Sequence, residues 1–469
     1  MNTTLRTSGL ELRWEKLAIG LEPDAIPTNR ARAKAAWDGL QEIKRTGRAQ
    51  GLSEPCLWPR LPFIEPGHPN SPAVLDEIER WAERVREKDL LVSFGIGGSY
   101  LGNRVLRDAL LGPLWNELPR SERDDLPELR FAGYHLDPLE ARALVALVES
   151  KARKRRKKKK SDLEVEVLAI SKSGGTTETL AGILAFREAL DQTKGVEQSF
   201  SALTDESSVL AEIARACEGT ILPFPEGIGG RWSVLSASGL ATAAATGVPI
   251  REVLEGAKAA ALELEAAGGD PEKDPALLYA LLHHLHAKKG RTLGVFMPYS
   301  DRLKCISEWY VQLLAESLGK KLDRKGKVVN AGRTPIVAVG TTDMHAQTQL
   351  HQEGPRDKVV TTLDVSEWGP ANVADRVPTG LENPAARKLA GKTFSQLNSL
   401  ARESNEEALA RDGRPSCSLV LDRLDARTLG SLLYFLMATV AYEGELLDVC
   451  AYDQPGVEAY KGIMKERLR

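Results

Sequence analysis

Cysteine is scarce in this chain of 469 residues: there are five, Cys56, Cys217, Cys305, Cys417 and Cys450, far apart and without any C-x-x-C pair. An odd number of widely separated cysteines argues against a disulfide framework and a cysteine-built metal site, and for reduced thiols in a cytoplasmic protein. Long apolar runs are missing as well. The longest, at 432–442, falls far short of the ~20 residues a membrane helix needs, and the first residues lack a basic head followed by an apolar stretch. No membrane partner and no standard secretion signal are expected. Three of the seven histidines, His283, His284 and His286, share one predicted helix. With no cysteine or nearby carboxylate to complete a ligand set, they point to no metal.

An excess of one charge is also lacking, since Lys plus Arg is 63 and Asp plus Glu is 65. The balance is local rather than general. Residues 151–160 (K-A-R-K-R-R-K-K-K-K) hold nine cations, and without them 54 cations would face 65 anions, a net charge of −11. Lying between a helical run that ends near Ser150 and a strand at Leu163, the decapeptide reads as a solvated loop insertion with no nucleic-acid partner.

The length exceeds one compact core and fits two to three domains, with 42% apolar residues to bury. Residues 1–85 carry charged, helix-favouring stretches (29–45, 71–88) around a proline-rich connection and read as a helical packing arm. From 86 to 250, β-type runs at 90–94, 129–134, 165–170, 200–204 and 219–223 alternate with helical ones. A second alternation fills 251–450, with a helical connection first, then strands at 292–297, 336–339, 359–363 and 418–421 and helices at 303–318, 393–410 and 426–442. Residues 451–469 form a short helical tail. Alternating β and α predicts an α/β fold of two tandem, doubly wound parallel-sheet domains with helical arms at each end, and ligands at the carboxyl ends of the strands.

The stretch 170–180, I-S-K-S-G-G-T-T-E-T-L, falls where a strand stops and a helix starts. Its glycines permit a tight turn, and Ser171, Ser173, Thr176 and Thr179 stand where free N–H groups and the positive end of the coming helix point outward. With Lys172 this suits a phosphate, whose three oxygens can all be satisfied; a plain capping loop is the alternative. Gly95-Ile96-Gly97-Gly98-Ser99 follows the first strand. It is not G-x-G-x-x-G and no ribose-binding acid follows at the usual distance, so no nicotinamide cofactor is expected. Gly98 and Ser99 instead offer an N–H and a hydroxyl to a sugar or phosphate. Arg231, after Gly229-Gly230, puts a permanent cation before a helix. Gln312, Glu316 and Lys320 share one helix face, where a Glu316–Lys320 ion pair is the plain reading. Taken singly, His345 could pack or cap, and Lys461 could be merely solvated.

Read together, these segments resemble glucose-6-phosphate isomerase in its shorter bacterial form. The matching stretches are F-G-I-G-G-S-Y-L-G at 94–102, S-K-S-G-G-T-T-E-T at 171–179, G-G-R-W-S-V-L-S-A-S-G-L at 229–240, Q-L-L-A-E-S-L-G-K at 312–320, T-T-D-M-H-A-Q-T-Q at 341–349 and D-Q-P-G-V-E-A-Y-K at 453–461. Two departures stand out: the basic run has no counterpart, and Leu318 occupies a position where many members carry asparagine. The resemblance implies an enzyme without cofactor or metal that interconverts glucose 6-phosphate and fructose 6-phosphate through a cis-enediolate. It makes Glu316 the base, Arg231 the cation facing the enediolate, and His345 and Lys461 the ring-opening groups, with Gln454 touching the sugar nearby. Ser171, Lys172, Ser173, Thr176 and Thr179 would hold the phosphate. It also implies a homodimer whose site takes His345 from the second subunit. Activity on mannose 6-phosphate as well, or a non-catalytic sugar-phosphate sensor on the same domains, are the alternatives.

Overall fold

The alternating runs are realised as two sheets in two compact units, one contiguous (Glu54–Leu254) and one made of the residues up to Ser53 with those from Glu255 onward. The structure is a computed structural model and describes residues 3–468. In the contiguous unit all five strands are parallel, in the order Glu128–Ala132, Leu90–Phe94, Leu163–Ile170, Val196–Thr204, Thr220–Pro223. The strand Leu90–Phe94 is buried along its whole length, as a strand covered by helices on both faces must be. Val92, Phe94, Val165, Val167 and Phe200 form its core with Ile183 and Phe186 of the helix Thr177–Asp191.

In the second unit the sheet order is Thr4–Thr7, Leu10–Arg13, Ser416–Arg423, Lys358–Glu367, Leu293–Pro298, Thr334–Val337. The last four are parallel, and the first two form an antiparallel hairpin added to the edge. The segment expected as one helical arm therefore begins with strands. Ser8 (φ 39°) and Gly9 (φ 81°) make a two-residue turn between them, and Leu10 and Leu12 enter the core. A second short hairpin, Lys320–Leu322 with Val328–Ala331, was equally unexpected. The rest of the expected arm is shared, since residues up to 53 belong to this unit and 54–85 to the other.

The apolar stretch at 432–442 is the centre of the helix Ala426–Leu447, nearly all of which is buried against the helices Arg30–Thr46, Pro275–Lys288 and Lys304–Leu318. Its isolation from water explains its composition; among the described residues no helix is long and apolar enough to cross a membrane.

The basic run is not a loop insertion. The helix Pro138–Lys157 continues through it, with Ala152 buried, Lys151 paired to Glu128, and Arg155 bonded to Asp89 (2.7 Å) and to the Ser161 carbonyl (3.0 Å). Lysine and arginine are good helix formers, and cations in a last turn face the negative end of the helix dipole. Partners 23 and 66 residues distant turn a nominally solvated run into structure.

Candidate active site

The loop after the strand Leu163–Ile170 is fixed from below. The Thr204 hydroxyl donates to the Ser171 carbonyl (2.7 Å), and Gly174, at φ 65°, lies so close to Ser208 that a Cβ there would stand 2.6 Å from the Ser208 Cβ. Thr176 is the N-cap of the helix Thr177–Asp191, yet its side chain makes no capping bond; its hydroxyl pairs with that of Ser171 at 3.1 Å. The Thr176 side chain thus leaves the first-turn N–H groups of this helix uncapped. Thr179 is buried, with its hydroxyl 3.5 Å from the Gly133 carbonyl. Ser173 stands beside the Gly175 N–H (3.4 Å). Lys172 is half exposed and paired with Glu54 (3.0 Å), a residue that nothing in the sequence singled out, because 118 positions separate the two.

Gly98 opens the helix Gly98–Leu110 and lies against Gly230: a Cβ at 98 would overlap the Gly230 carbonyl oxygen. The loop at 95–99 and the turn Gly230–Trp232 are therefore one assembly, in which Ser99 and Arg231 are both buried. Trp232 stacks on Trp58 at 4.6 Å, and the Ser233 hydroxyl donates to the Gly230 carbonyl (2.7 Å). These contacts leave the arginine's backbone little freedom.

In the other unit, Glu316 lies in the last turn of the helix Lys304–Leu318, partly buried, with the Gln312 amide 3.5 Å from its carboxylate. Lys320, which is buried, donates to the main-chain carbonyls of Glu316 (2.6 Å) and Asp453 (2.7 Å), and its ammonium lies 3.3 Å from the Asp453 carboxylate. Asp453 immediately precedes Gln454, the N-cap of the helix Pro455–Arg467, so Lys320 joins the end of the Glu316 helix to the start of the tail. Leu318, at the position where many family members carry asparagine, is fully buried. Lys461 forms an ion pair with Glu458 (3.0 Å), its side chain 44% exposed. His345 ends the turn Thr342–Met344 and is exposed; that turn is held by the Val339 N–H donating to the Asp343 carboxylate (2.6 Å). Among the described residues, the His345 ring has no hydrogen-bond partner, and neither His345 nor Lys461 is bonded to Glu316.

The three clustered histidines serve the interior. His286 Nε2 donates to the Leu17 carbonyl (2.7 Å) and its Nδ1 accepts from Arg291 (3.2 Å), while burial pushes the pKa values of His284 and His286 down to about 4. Among the described residues no group of three or more histidine, cysteine, aspartate and glutamate side chains could hold a metal ion.

Residues 80–468 match the family model described as "Phosphoglucose isomerase". The chain is 37% identical over 390 residues to a glucose-6-phosphate isomerase of Carboxydothermus hydrogenoformans, covering 82% of this chain and 80% of that one. It is also 37% identical over 415 residues to one of Rubrobacter xylanophilus, covering 86% and 89%. Among solved structures, a glucose-6-phosphate isomerase of Chlamydia trachomatis has a similar fold, with a TM-score of 0.81 over 99% of this chain and 89% of that one at 22% identity.

Proposed function

Because this chain belongs to the phosphoglucose isomerase family and interconverts glucose 6-phosphate and fructose 6-phosphate, a step of glycolysis and gluconeogenesis, we propose roles for its residues in that reaction. Ser171, Ser173, Thr176, Thr179 and Lys172, with the uncapped first turn of the helix Thr177–Asp191, hold the phosphate. Its binding energy, remote from the reacting carbons, orients the sugar. Gly98 and Ser99 contribute an N–H and a hydroxyl beside Arg231. Ring opening needs a donor to the ring oxygen and an acceptor for the O1 proton, which His345 and Lys461 supply while Gln454 contacts the sugar.

Glu316 then takes the proton from C2 of the open chain and returns it to C1. One carboxylate serves first as base and then as acid, a contribution of ~10² to 10⁴ in rate. Negative charge collects on O1 and O2 of the cis-enediolate, and the rigidly held Arg231 faces it; removing one such fixed donor costs roughly 3 to 4 kcal/mol of transition-state stabilisation. The proton transfer itself asks for no metal.

The observation that best supports these roles is the side chain of Thr176, which turns to Ser171 and leaves the helix N-terminus open. Thr176→Val should raise KM for glucose 6-phosphate by about tenfold with kcat little changed, as the loss of one hydroxyl contact to a charged group predicts. An unchanged KM would sink the phosphate assignment. The same assay run with mannose 6-phosphate decides whether the enzyme is bifunctional.

The assembly we propose is a cytoplasmic homodimer in which His345 serves the site of the second subunit. In support, His345 is exposed and its ring has no hydrogen-bond partner among the described residues. A mixed dimer of one Glu316→Gln chain and one His345→Ala chain would concentrate both defects in one site and leave the other intact. Two nearly inactive variants should then regain activity when refolded together. No gain, with mixed dimers demonstrably formed, would place His345 in the site of its own chain.

A further inference from the structure

The basic end of the helix Pro138–Lys157 has no part in the reaction above. In a parallel sheet the crossover helices run opposite to the strands, so this helix ends beside the strands' first residues. Arg155 accordingly bonds Asp89, which immediately precedes the strand Leu90–Phe94. The phosphate loop begins at the far end of the eight-residue strand Leu163–Ile170, about 26 Å away at the usual rise per residue. That is roughly three Debye lengths at physiological ionic strength, too far for these cations to draw in the sugar phosphate.

Of the nine cations, Lys151 and Arg155 are neutralised within the chain. Arg153, Lys154, Arg156 and Lys157–Lys160 are exposed, and among the described residues none has an ion pair. They are held in place nonetheless. The Lys159 N–H donates to the Arg156 carbonyl (3.0 Å) and the Lys160 N–H to the Arg155 carbonyl (3.1 Å), closing the helix end on itself, and the Arg156 stem lies against Gly195. Lys159 sits at φ 54°, the left-handed position after a helix that glycine fills at least cost. Lysine there, amid six other cations without an ion pair among the described residues, adds backbone strain to charge repulsion.

We propose that this helix end is a docking surface for the phosphodiester backbone of double-stranded nucleic acid. A helix advances ~1.5 Å per residue and a duplex carries one negative charge per ~1.7 Å of axis, so seven cations within eight residues match its charge density. The run has no aromatic side chain on which an unpaired base could stack and no exposed apolar one to enter a lipid surface; its single apolar residue, Ala152, is buried. The exposed Leu139 lies at the opposite end of the helix, about 27 Å away. With the remainder of the chain at −11, a polyanion is repelled elsewhere and admitted here, without regard to base sequence.

The test is anisotropy of a fluorescein-labelled DNA duplex of about 24 base pairs titrated with the full-length protein between about 50 and 200 mM NaCl. Four phosphate contacts predict a log Kobs against log salt slope of about −3.6, or about 150-fold weaker binding across that range. Replacing Lys157–Lys160 together by glutamine, which leaves three of the seven cations, should reduce the slope by about half or more and weaken binding at low salt at least tenfold, with isomerase turnover unchanged to show that the variant is folded. Equal binding by variant and wild type would overturn the proposal, as would no anisotropy change with tens of micromolar protein at the lowest salt. Co-sedimentation with vesicles containing phosphatidylserine in the absence of any duplex binding would overturn it too, in favour of a membrane surface.

Discussion

Lys320 and Asp453 lie 133 positions apart in the chain, and the buried ammonium of the first donates to the carbonyl of the second at 2.7 Å while also holding the carbonyl of Glu316 at 2.6 Å. One cation thus completes the C-terminal turn of the helix that carries Glu316 and anchors the segment that leads to Gln454 and Lys461.

Lys320→Met keeps the apolar stem and removes the ammonium, leaving both carbonyls without this donor. Stability should fall on the order of 2 kcal/mol. Because the tail is released at its root, kcat should fall at least ~10-fold, a loss beyond what the lowered stability explains at the assay temperature. Urea melts and steady-state kinetics on the same preparation check both; intact kcat would mean that the tail is positioned by other contacts.

Two neighbouring glycines should respond in opposite ways to alanine. At Gly98 the new methyl would overlap a backbone oxygen that cannot give way without moving Arg231, so Gly98→Ala should cost about 3 kcal/mol or more and abolish most of the turnover. At Gly230 an added Cβ meets nothing within 4 Å, and Gly230→Ala should change stability by less than about 1 kcal/mol. Thermal melts and turnover of the two variants side by side decide the matter.

Asp274 caps the helix Pro275–Lys288, accepting from the Leu277 N–H (2.9 Å) and the Tyr442 hydroxyl (3.0 Å), and complete burial pushes its pKa up to about 7. An acid whose folded pKa lies above its unfolded value stabilises the fold fully below the unfolded pKa. That contribution is lost as pH rises from about 4 to about 7, at up to ~1.4 kcal/mol per pH unit. Asp274→Asn keeps the cap and removes the titration, so denaturation midpoints measured across this window should decline less steeply with pH than those of the wild type. Parallel profiles would show that Asp274 does not ionise differently in the two states.

Deleting residues 151–160 should destabilise the protein on the order of 3 kcal/mol, because Ala152 leaves the core and Asp89 and Glu128 lose Arg155 and Lys151. A solvated loop would be removed at almost no cost. Thermal melts of the deletion beside the fourfold glutamine variant separate the buried anchors from the exposed charges.

The basic run is also where sequence reasoning failed most instructively. Nine cations in ten residues look like a surface in contact only with water, and the acids that hold two of them, Asp89 just before one strand and Glu128 at the start of another, are distant in the chain and carry no local mark. The strand Leu163–Ile170 and its glycine-rich exit were legible because alternation, turn residues and helix start follow one another within twenty residues. The hairpin at the chain start carried a signal too: Ser-Gly between two alternating runs is a two-residue turn. It was overshadowed by the charged helices that follow. For the proposed site, residue types and order singled out Glu316, Arg231 and the loop 171–179 as candidates, whereas Glu54 and Asp453 become visible only when the fold brings them to Lys172 and Lys320.

The hairpin has a further consequence for how the chain is made. Its strand Leu10–Arg13 pairs with Ser416–Arg423, so two neighbouring strands of one sheet leave the ribosome about 400 residues apart. At synthesis rates of roughly 5 to 20 residues per second, the early strand waits about 20 to 80 seconds with its hydrogen-bonding edge open. The contiguous unit Glu54–Leu254 has no such dependence and can complete its sheet during that interval. The nascent chain therefore holds a finished domain between two halves of an unfinished one, and it is the unfinished one that a chaperone would need to shield.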